Sequence, residues 1–320
     1  MKEAPVTRNT AAAGRTAPLS GVLAAVLTPL DDSLAPDHGL LIRHCRWLLG
    51  SGCTGLSVLG TTGEANSFSV DERLRLLDAL AEGGLPGSAL LPGTGTCAVP
   101  DTVRLTLKAI EIGAGAVLML PPFYYKNVSD DGIFAAYAQV IEQVGDARLR
   151  ICLYHFPQMS GVALGPALIE RLLKRYPGTI AGIKDSSGDG AGMVETARRF
   201  PQLSVLTGSD AFLFGLLENG GAGCITACCN IAGHLAAEVV EGWRRGEREA
   251  AVRSQERLDA VRGAVTVYPM TAALKALMVR HSGRPHWRNI RPPLVSLTPQ
   301  DAAALESALH RLGFVPAPWL

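Results

Sequence analysis

The feature that most constrains this chain is an alternation. A short, continuously apolar run is followed by an amphipathic stretch, and the unit repeats eight times. The runs are residues 22–28, 55–60, 89–93, 116–120, 150–155, 180–184, 204–207 and 223–226. Each is apolar along most of its length rather than at every second residue, which suits parallel strands covered on both faces. Between them, residues 38–50, 70–82, 101–112, 131–144, 166–176 and 191–200 carry a helical period, 210–218 reads as a shorter seventh helix, and 231–246 as an eighth. Asp71 and Asp101 stand at helix starts, and Gly50 and Gly113 at helix ends, as capping chemistry prefers. Eight strand–helix units predict an α/β fold, a (β/α)8 TIM barrel over residues 21–246. A doubly wound sheet would show the same alternation.

After residue 246 the pattern turns helical throughout, over 247–265, 270–280 and 299–312, interrupted by Pro285, Pro292 and Pro293. Residues 247–320 are therefore expected to form a C-terminal all-helical domain. Residues 1–20 are expected to be a flexible tail. Hydrophobic residues make up 48% of the chain and charged residues 18%, enough apolar surface to offset the entropy of ordering and exclude a disordered chain. Net charge is +1 with no basic stripe, which argues against a nucleic-acid partner. The longest apolar stretches, 21–27 and 114–120, fall well short of the roughly 20 residues that a membrane helix needs. Lys2, Glu3, Arg8 and Arg15 precede any apolar run, so a cytoplasmic location is expected. The seven cysteines include no C-x-x-C pair. They are read as buried free thiols rather than a zinc site or a disulfide frame, and no metal is expected.

Barrel active sites lie at the C-terminal ends of the strands. The second strand ends in Gly60-Thr61-Thr62-Gly63-Glu64. Such a turn leaves N–H groups free to cradle a carboxylate or phosphate, and a plain glycine-rich βα turn would read the same. The fourth runs into Pro121-Pro122-Phe123-Tyr124-Tyr125-Lys126, and the fifth into Tyr154-His155-Phe156-Pro157. A tyrosine at a strand mouth can relay a proton; His155, beside apolar residues, is read as structural. The sixth strand, Ile180-Ala181-Gly182-Ile183-Lys184-Asp185, is the sharpest sign. Only six of the 30 basic residues are lysine, and one of them ends an apolar strand. Burial disfavours an ammonium and leaves a nucleophilic amine, able to attack a carbonyl and form a Schiff base; arginine has no such option. The bland alternatives are a lysine reaching to solvent or paired with Asp185.

The segments Gly60–Glu64, Tyr154-x-x-Pro157 closed by Gly161, and Gly182-Ile-Lys-Asp185, in this order and spacing, resemble the dihydrodipicolinate synthase / N-acetylneuraminate lyase family of pyruvate-type class I aldolases. The resemblance runs from residue 19 to about 312. It implies a (β/α)8 barrel with a C-terminal helical domain, a homotetramer built as a dimer of dimers, a 2-oxo acid as the small-molecule partner, and no cofactor beyond the covalent Schiff base. By position, it implies that Lys184 forms the Schiff base, Tyr154 moves protons and Thr61 is the relay hydroxyl beside it. Thr62 and Gly63 would hold the 2-oxo acid carboxylate. Tyr124, or Tyr125 one place on, would be lent across a dimer interface. The carbonyl of Ile225 would face the site.

Two positions depart from the family pattern. The synthase branch has an arginine two places before the closing glycine, to grip the carboxylate of its aldehyde partner. Here that place is Met159, and a thioether cannot pair with a carboxylate. The sialic acid lyase branch shows Gly-x-Asp-Glu after strand seven; here the segment is Gly208-Ser209-Asp210-Ala211, without the glutamate. The expectation is therefore a Schiff-base lyase, aldolase or dehydratase acting on pyruvate or a 2-keto-3-deoxy sugar acid. Met159, Gly208 and Asp210 would line the substrate pocket, and Asp210, Ser209, Ser160 and Ser187 would contact hydroxyls. The alternatives are 4-hydroxy-tetrahydrodipicolinate synthase and a non-catalytic barrel that binds a 2-oxo acid.

Overall fold

The computed structural model describes residues 18–319, so positions 1–17 of the expected tail lie outside the described residues. The first half of the fold is β1 (Gly21–Ala25), α1 (His38–Gly50), β2 (Gly55–Ser57), α2 (Val70–Glu82), α3 (Val99–Glu111), β3 (Val117–Met119) and α4 (Asp130–Val144). It continues with β4 (Ile151–His155), α5 (Pro157–Ser160), α6 (Pro166–Arg175), β5 (Ile180–Asp185), α7 (Gly190–Arg199), β6 (Ser204–Thr207), α8 (Leu213–Glu218), β7 (Gly223–Thr226) and α9 (Cys229–Arg244). Three further helices, α10 (Arg248–Val265), α11 (Met270–Ser282) and α12 (Pro299–Arg311), complete the chain. The amphipathic period placed α1 and α2 correctly at both ends. A side chain the sequence reading passed over starts α2: Ser69 caps the Glu72 N–H while Glu72 reaches back to the Ser69 N–H, a reciprocal capping box.

The strands form one parallel sheet in the order β2-β1-β7-β6-β5-β4-β3. The third of the eight expected strands, 89–93, is reduced to two single parallel bridges, Leu56 with Leu90 and Gly93 with Leu118. Pro92 has no N–H to give to a ladder. The segment still closes the barrel. The N–H groups of Leu91 and Gly93 donate to Leu56 and Val58, and that of Leu118 to the Pro92 carbonyl. Gly93 is required there, because a Cβ would stand 2.1 Å from the Leu59 carbonyl oxygen. The fold is a (β/α)8-type barrel with a C-terminal helical extension.

Inside the barrel, Leu23, Ala25, Leu91, Ala116, Leu118, Cys152, Leu206 and Ile225 pack around Tyr154. This plug fills the lower interior and leaves the mouth for chemistry. The C-terminal helices share one apolar cluster with the barrel: Leu258, Val261, Leu274, Met278, Trp287 and Leu305 pack with residues of β1, α1 and α9. Six of the cysteines are buried free thiols and Cys97 is exposed. Among the described residues no helix is long and apolar enough to cross a membrane.

Candidate active site

Strands β4 and β5 pair in parallel with Tyr154 opposite Lys184. Side chains alternate along a strand, so both of these turn inward. Lys184 is only 5% exposed. Its Nζ lies 4.3 Å from the centroid of the Tyr154 ring, over the electron-rich face. Asp185 points the other way, and its Oδ1 accepts the Ser187 N–H at 2.8 Å. The lysine thus neither reaches solvent nor pairs with its neighbour. The Tyr154 ring is clamped by Phe156, with centroids 5.8 Å apart and planes 29° from parallel. Its hydroxyl meets Thr61 Oγ1 at 3.4 Å, which joins the ends of β4 and β2.

The 60–64 turn has the anatomy of an anion cradle. The Glu64 N–H donates to the Thr61 carbonyl and the Ala65 N–H to that of Gly60. The N–H groups of Thr61, Thr62 and Gly63 meet no protein acceptor among the described residues. Successive unpaired N–H groups at a tight turn present partial positive charge to a ligand. Thr28 Oγ1 fixes the turn from below by donating to the Gly63 carbonyl at 2.9 Å. Gly63 leaves no room for a larger residue, since a Cβ would sit 2.8 Å from the Val26 carbonyl oxygen.

The other expected site residues are placed less uniformly. Ile225 belongs to the interior cluster just below the mouth. The Gly208 N–H donates to the Asp185 carbonyl at 2.6 Å, which draws the end of β6 against β5. Tyr124 is 74% exposed within the single chain and packs edge-on against Tyr125. Met159 is 60% exposed on the short helix α5, an element the sequence reading did not anticipate. Lys126 Nζ joins this helix to the loop after β3, donating to the Phe123 carbonyl and, at 2.8 Å, to the Ser160 carbonyl. His155 is structural as expected, its Nδ1 accepting the Leu164 N–H at 3.1 Å.

Two assignments need correction. Asp210 does not face the pocket. It is fully buried, with Oδ1 accepting from Thr226 Oγ1 and Oδ2 held 3.0 Å from the Arg262 guanidinium on α10. Burial pushes its carboxyl above the usual carboxylate range, and Thr226 and Arg262 pull the other way. Both oxygens are engaged and the side chain is fully buried, so it presents no surface to a substrate hydroxyl. Ser160 is also buried; its single hydroxyl hydrogen is shared between the Phe156 and Val162 carbonyls, each 3.0 Å away, and its oxygen accepts the Val162 N–H at 3.1 Å.

Residues 18–312 match the model of the Dihydrodipicolinate synthetase family. The chain belongs to the dihydrodipicolinate synthetase family. An uncharacterized DapA-like lyase of Chloroflexus aurantiacus is 37% identical over 295 residues, 91% of this chain and 96% of that protein. A 4-hydroxy-tetrahydrodipicolinate synthase of Agrobacterium fabrum is 30% identical, with 92% of this chain and 99% of that protein covered. Among solved structures, YagE of E. coli in complex with pyruvate superposes with a TM-score of 0.85 at 26% identity, over 93% of this chain and all of that one. This family member is a lyase, and its partner in the reaction is a small molecule.

What the sequence reading missed in this lyase is the way the C-terminal region grips the barrel mouth. Glu64, the last residue of the turn, is buried and ion-paired with Lys275 of α11. Its other oxygen accepts the Arg291 N–H at 2.9 Å. Burial pushes the Lys275 amine below the usual lysine range, and the Glu64 carboxylate opposes that shift. A signal was present. The argument that singled out Lys184, a scarce lysine in an apolar setting, applies equally to Lys275, which stands in the run Ala272-Ala273-Leu274-Lys275-Ala276-Leu277 and is 1% exposed.

Proposed function

We propose that this lyase works through a Schiff base between Lys184 and a 2-oxo acid, pyruvate or a 2-keto-3-deoxy sugar acid. The observation that carries the reading is the convergence of a buried amine, a phenol–hydroxyl pair and three unpaired N–H groups at one barrel mouth. The carboxylate of the 2-oxo acid sits on the N–H groups of Thr61, Thr62 and Gly63. This fixes the C2 carbonyl for attack by Nζ. Water leaves and an iminium forms. In the cleavage direction Tyr154 takes the proton of the C4 hydroxyl, and the C3–C4 bond breaks to release an aldehyde. Its electron pair is held as an enamine conjugated to the nitrogen. Protonation at C3 and hydrolysis return the amine and free pyruvate. Thr61 passes the proton between Tyr154 and bulk water. Tyr124, exposed in one chain, joins this relay from a neighbouring subunit of a homotetramer. Lys184 itself supplies the electron sink, so the reaction calls on no separate cofactor.

One observation favours the synthase reaction of the curated relatives as a second reading. That reaction needs a cation for a second carboxylate, and Lys126 Nζ lies against the Ser160 carbonyl, beside Met159. A coupled assay with pyruvate and aspartate semialdehyde separates the two readings.

Reductive trapping tests the mechanism. Pyruvate and borohydride should leave a pyruvate-sized adduct on the peptide that contains Lys184. A folded protein with no adduct, or an adduct elsewhere, would overturn it. Lys184→Ala should lose both adduct and turnover while unfolding at the same denaturant concentration as the parent.

A further inference from the structure

Two residues with side chains stand in the left-handed region at the two ends of the turn: Leu59 at φ 57° and Glu64 at φ 57°. L-residues enter that region at a cost and stay only when their surroundings hold them. At its backbone Glu64 is bonded locally, its N–H donating to the Thr61 carbonyl and its carbonyl accepting the Ser67 N–H at 2.8 Å. The restraint on its side chain comes from more than two hundred residues away. Glu64 Oε1 accepts from Lys275 Nζ, and the same ammonium donates to the Asn289 carbonyl at 2.7 Å. Asn289 in turn donates to the carbonyls of Leu30 and Asp31. Arg291 gives its N–H to Glu64 Oε2 at 2.9 Å and its guanidinium to the Ser67 carbonyl, the Leu34 carbonyl and both oxygens of Glu72. The guanidinium also lies 4.6 Å over the Phe68 ring. Segment 289–291 is thus threaded between the loop after β1 and the loop after β2.

We infer that Lys275 and Arg291 are positioning residues for the reaction: the buried Glu64–Lys275 pair holds Glu64 in its left-handed conformation and so aims the N–H groups of Thr61–Gly63 at the substrate carboxylate. The inference rests on the reading of that turn as the carboxylate cradle. It makes the C-terminal helical region part of the substrate site, although none of its residues here reaches the substrate. A buried charge without its partner is strongly disfavoured, so loss of either member releases the other from the interior and frees the turn.

The test compares two double variants that bury no charge, Glu64→Gly/Lys275→Met and Glu64→Ala/Lys275→Met. Glycine enters the left-handed region freely and alanine does not. Borohydride trapping on Lys184 is measured against pyruvate concentration, with hydroxyacetone as a ketone without a carboxylate. The glycine variant should half-saturate within three-fold of the parent. The alanine variant should need at least ten-fold more pyruvate, while hydroxyacetone is trapped alike by both. Equal half-saturation by pyruvate in the two variants would overturn the inference. So would an equal loss of pyruvate and hydroxyacetone trapping in the alanine variant, which marks general loosening. A parent chain that pyruvate does not label defeats the Schiff-base reading instead. Amide exchange of the 60–65 peptide then decides the latch. Faster exchange in the alanine than in the glycine variant supports it, and equal rates overturn it.

Discussion

Tyr154→Phe separates the phenol's chemistry from its packing. The ring is buried, stacked on Phe156 and set under Lys184 Nζ, and phenylalanine keeps the burial and both contacts. The group removed is one hydroxyl, whose partner in the chain is Thr61 at 3.4 Å, a long hydrogen bond. A neutral bond of that quality contributes about 1 kcal/mol or less to stability, so the denaturant midpoint should barely move. The catalytic effect should be far larger. A positioned proton donor and acceptor contributes typically ~10²- to 10⁴-fold, equivalent to roughly 3–5 kcal/mol of barrier. The assay has two arms. Trapping of pyruvate on Lys184 at saturation should survive, at a reduced rate, because the amine and the 60–64 turn are untouched. Steady-state turnover of a cleavable 2-keto-3-deoxy sugar acid should fall by about two to four orders of magnitude. Turnover within five-fold of the parent, in a variant of unchanged stability, would refute the role of the phenol. A fall in turnover matched by an equal loss of stability would show that the hydroxyl acts through the fold.

Three further outcomes follow from the geometry. Gly63→Ala puts a methyl 2.8 Å from the Val26 carbonyl oxygen, so the turn must shift; half-saturating pyruvate in the trapping assay should rise about ten-fold or more, roughly 1.4 kcal/mol, and an unchanged value would show that the turn does not bind the carboxylate. Arg291 holds the Glu72 carboxyl down at about 2 against an ordinary 4.5. A depressed carboxyl stabilises the fold above its unfolded value and loses that contribution as pH falls from about 4.5 towards 2. Glu72→Gln should therefore cost about 1–3 kcal/mol in urea unfolding at pH 7, with the gap to the parent narrowing below pH 4.5, and a gap constant down to pH 3 would contradict the pairing. Arg262→Met leaves Asp210 buried without its cation and should destabilise the fold by about 3–5 kcal/mol, with Asp210→Asn in the same chain recovering part of the loss; an Arg262→Met effect near zero would show that the pair carries little.

Much of this protein was determined by local pattern. The helices at residues 38–50 and 70–82 were legible to the residue because burying one face of a helix imposes a 3.6-residue period on nearby positions. The parallel strands were legible because covering both faces makes them apolar throughout. Lys184 stood out because a charged group in such a run demands a reason. Segment 89–93 did not behave as a full strand, because one proline within it withholds a ladder hydrogen bond. Asp210 was misplaced for a different reason. Its position after β6 suggested the pocket, but its partner Arg262 lies 52 residues further along, on a helix whose docking no local pattern announces. Glu64 and Lys275 are 211 residues apart, and although Lys275 stands out in its apolar run, nothing local names Glu64 as its partner. Apolar periodicity is a property of neighbours in the chain and can be read there. The pairing of buried charges is a property of neighbours in space, settled only when desolvation forces each one to find its partner in the folded barrel.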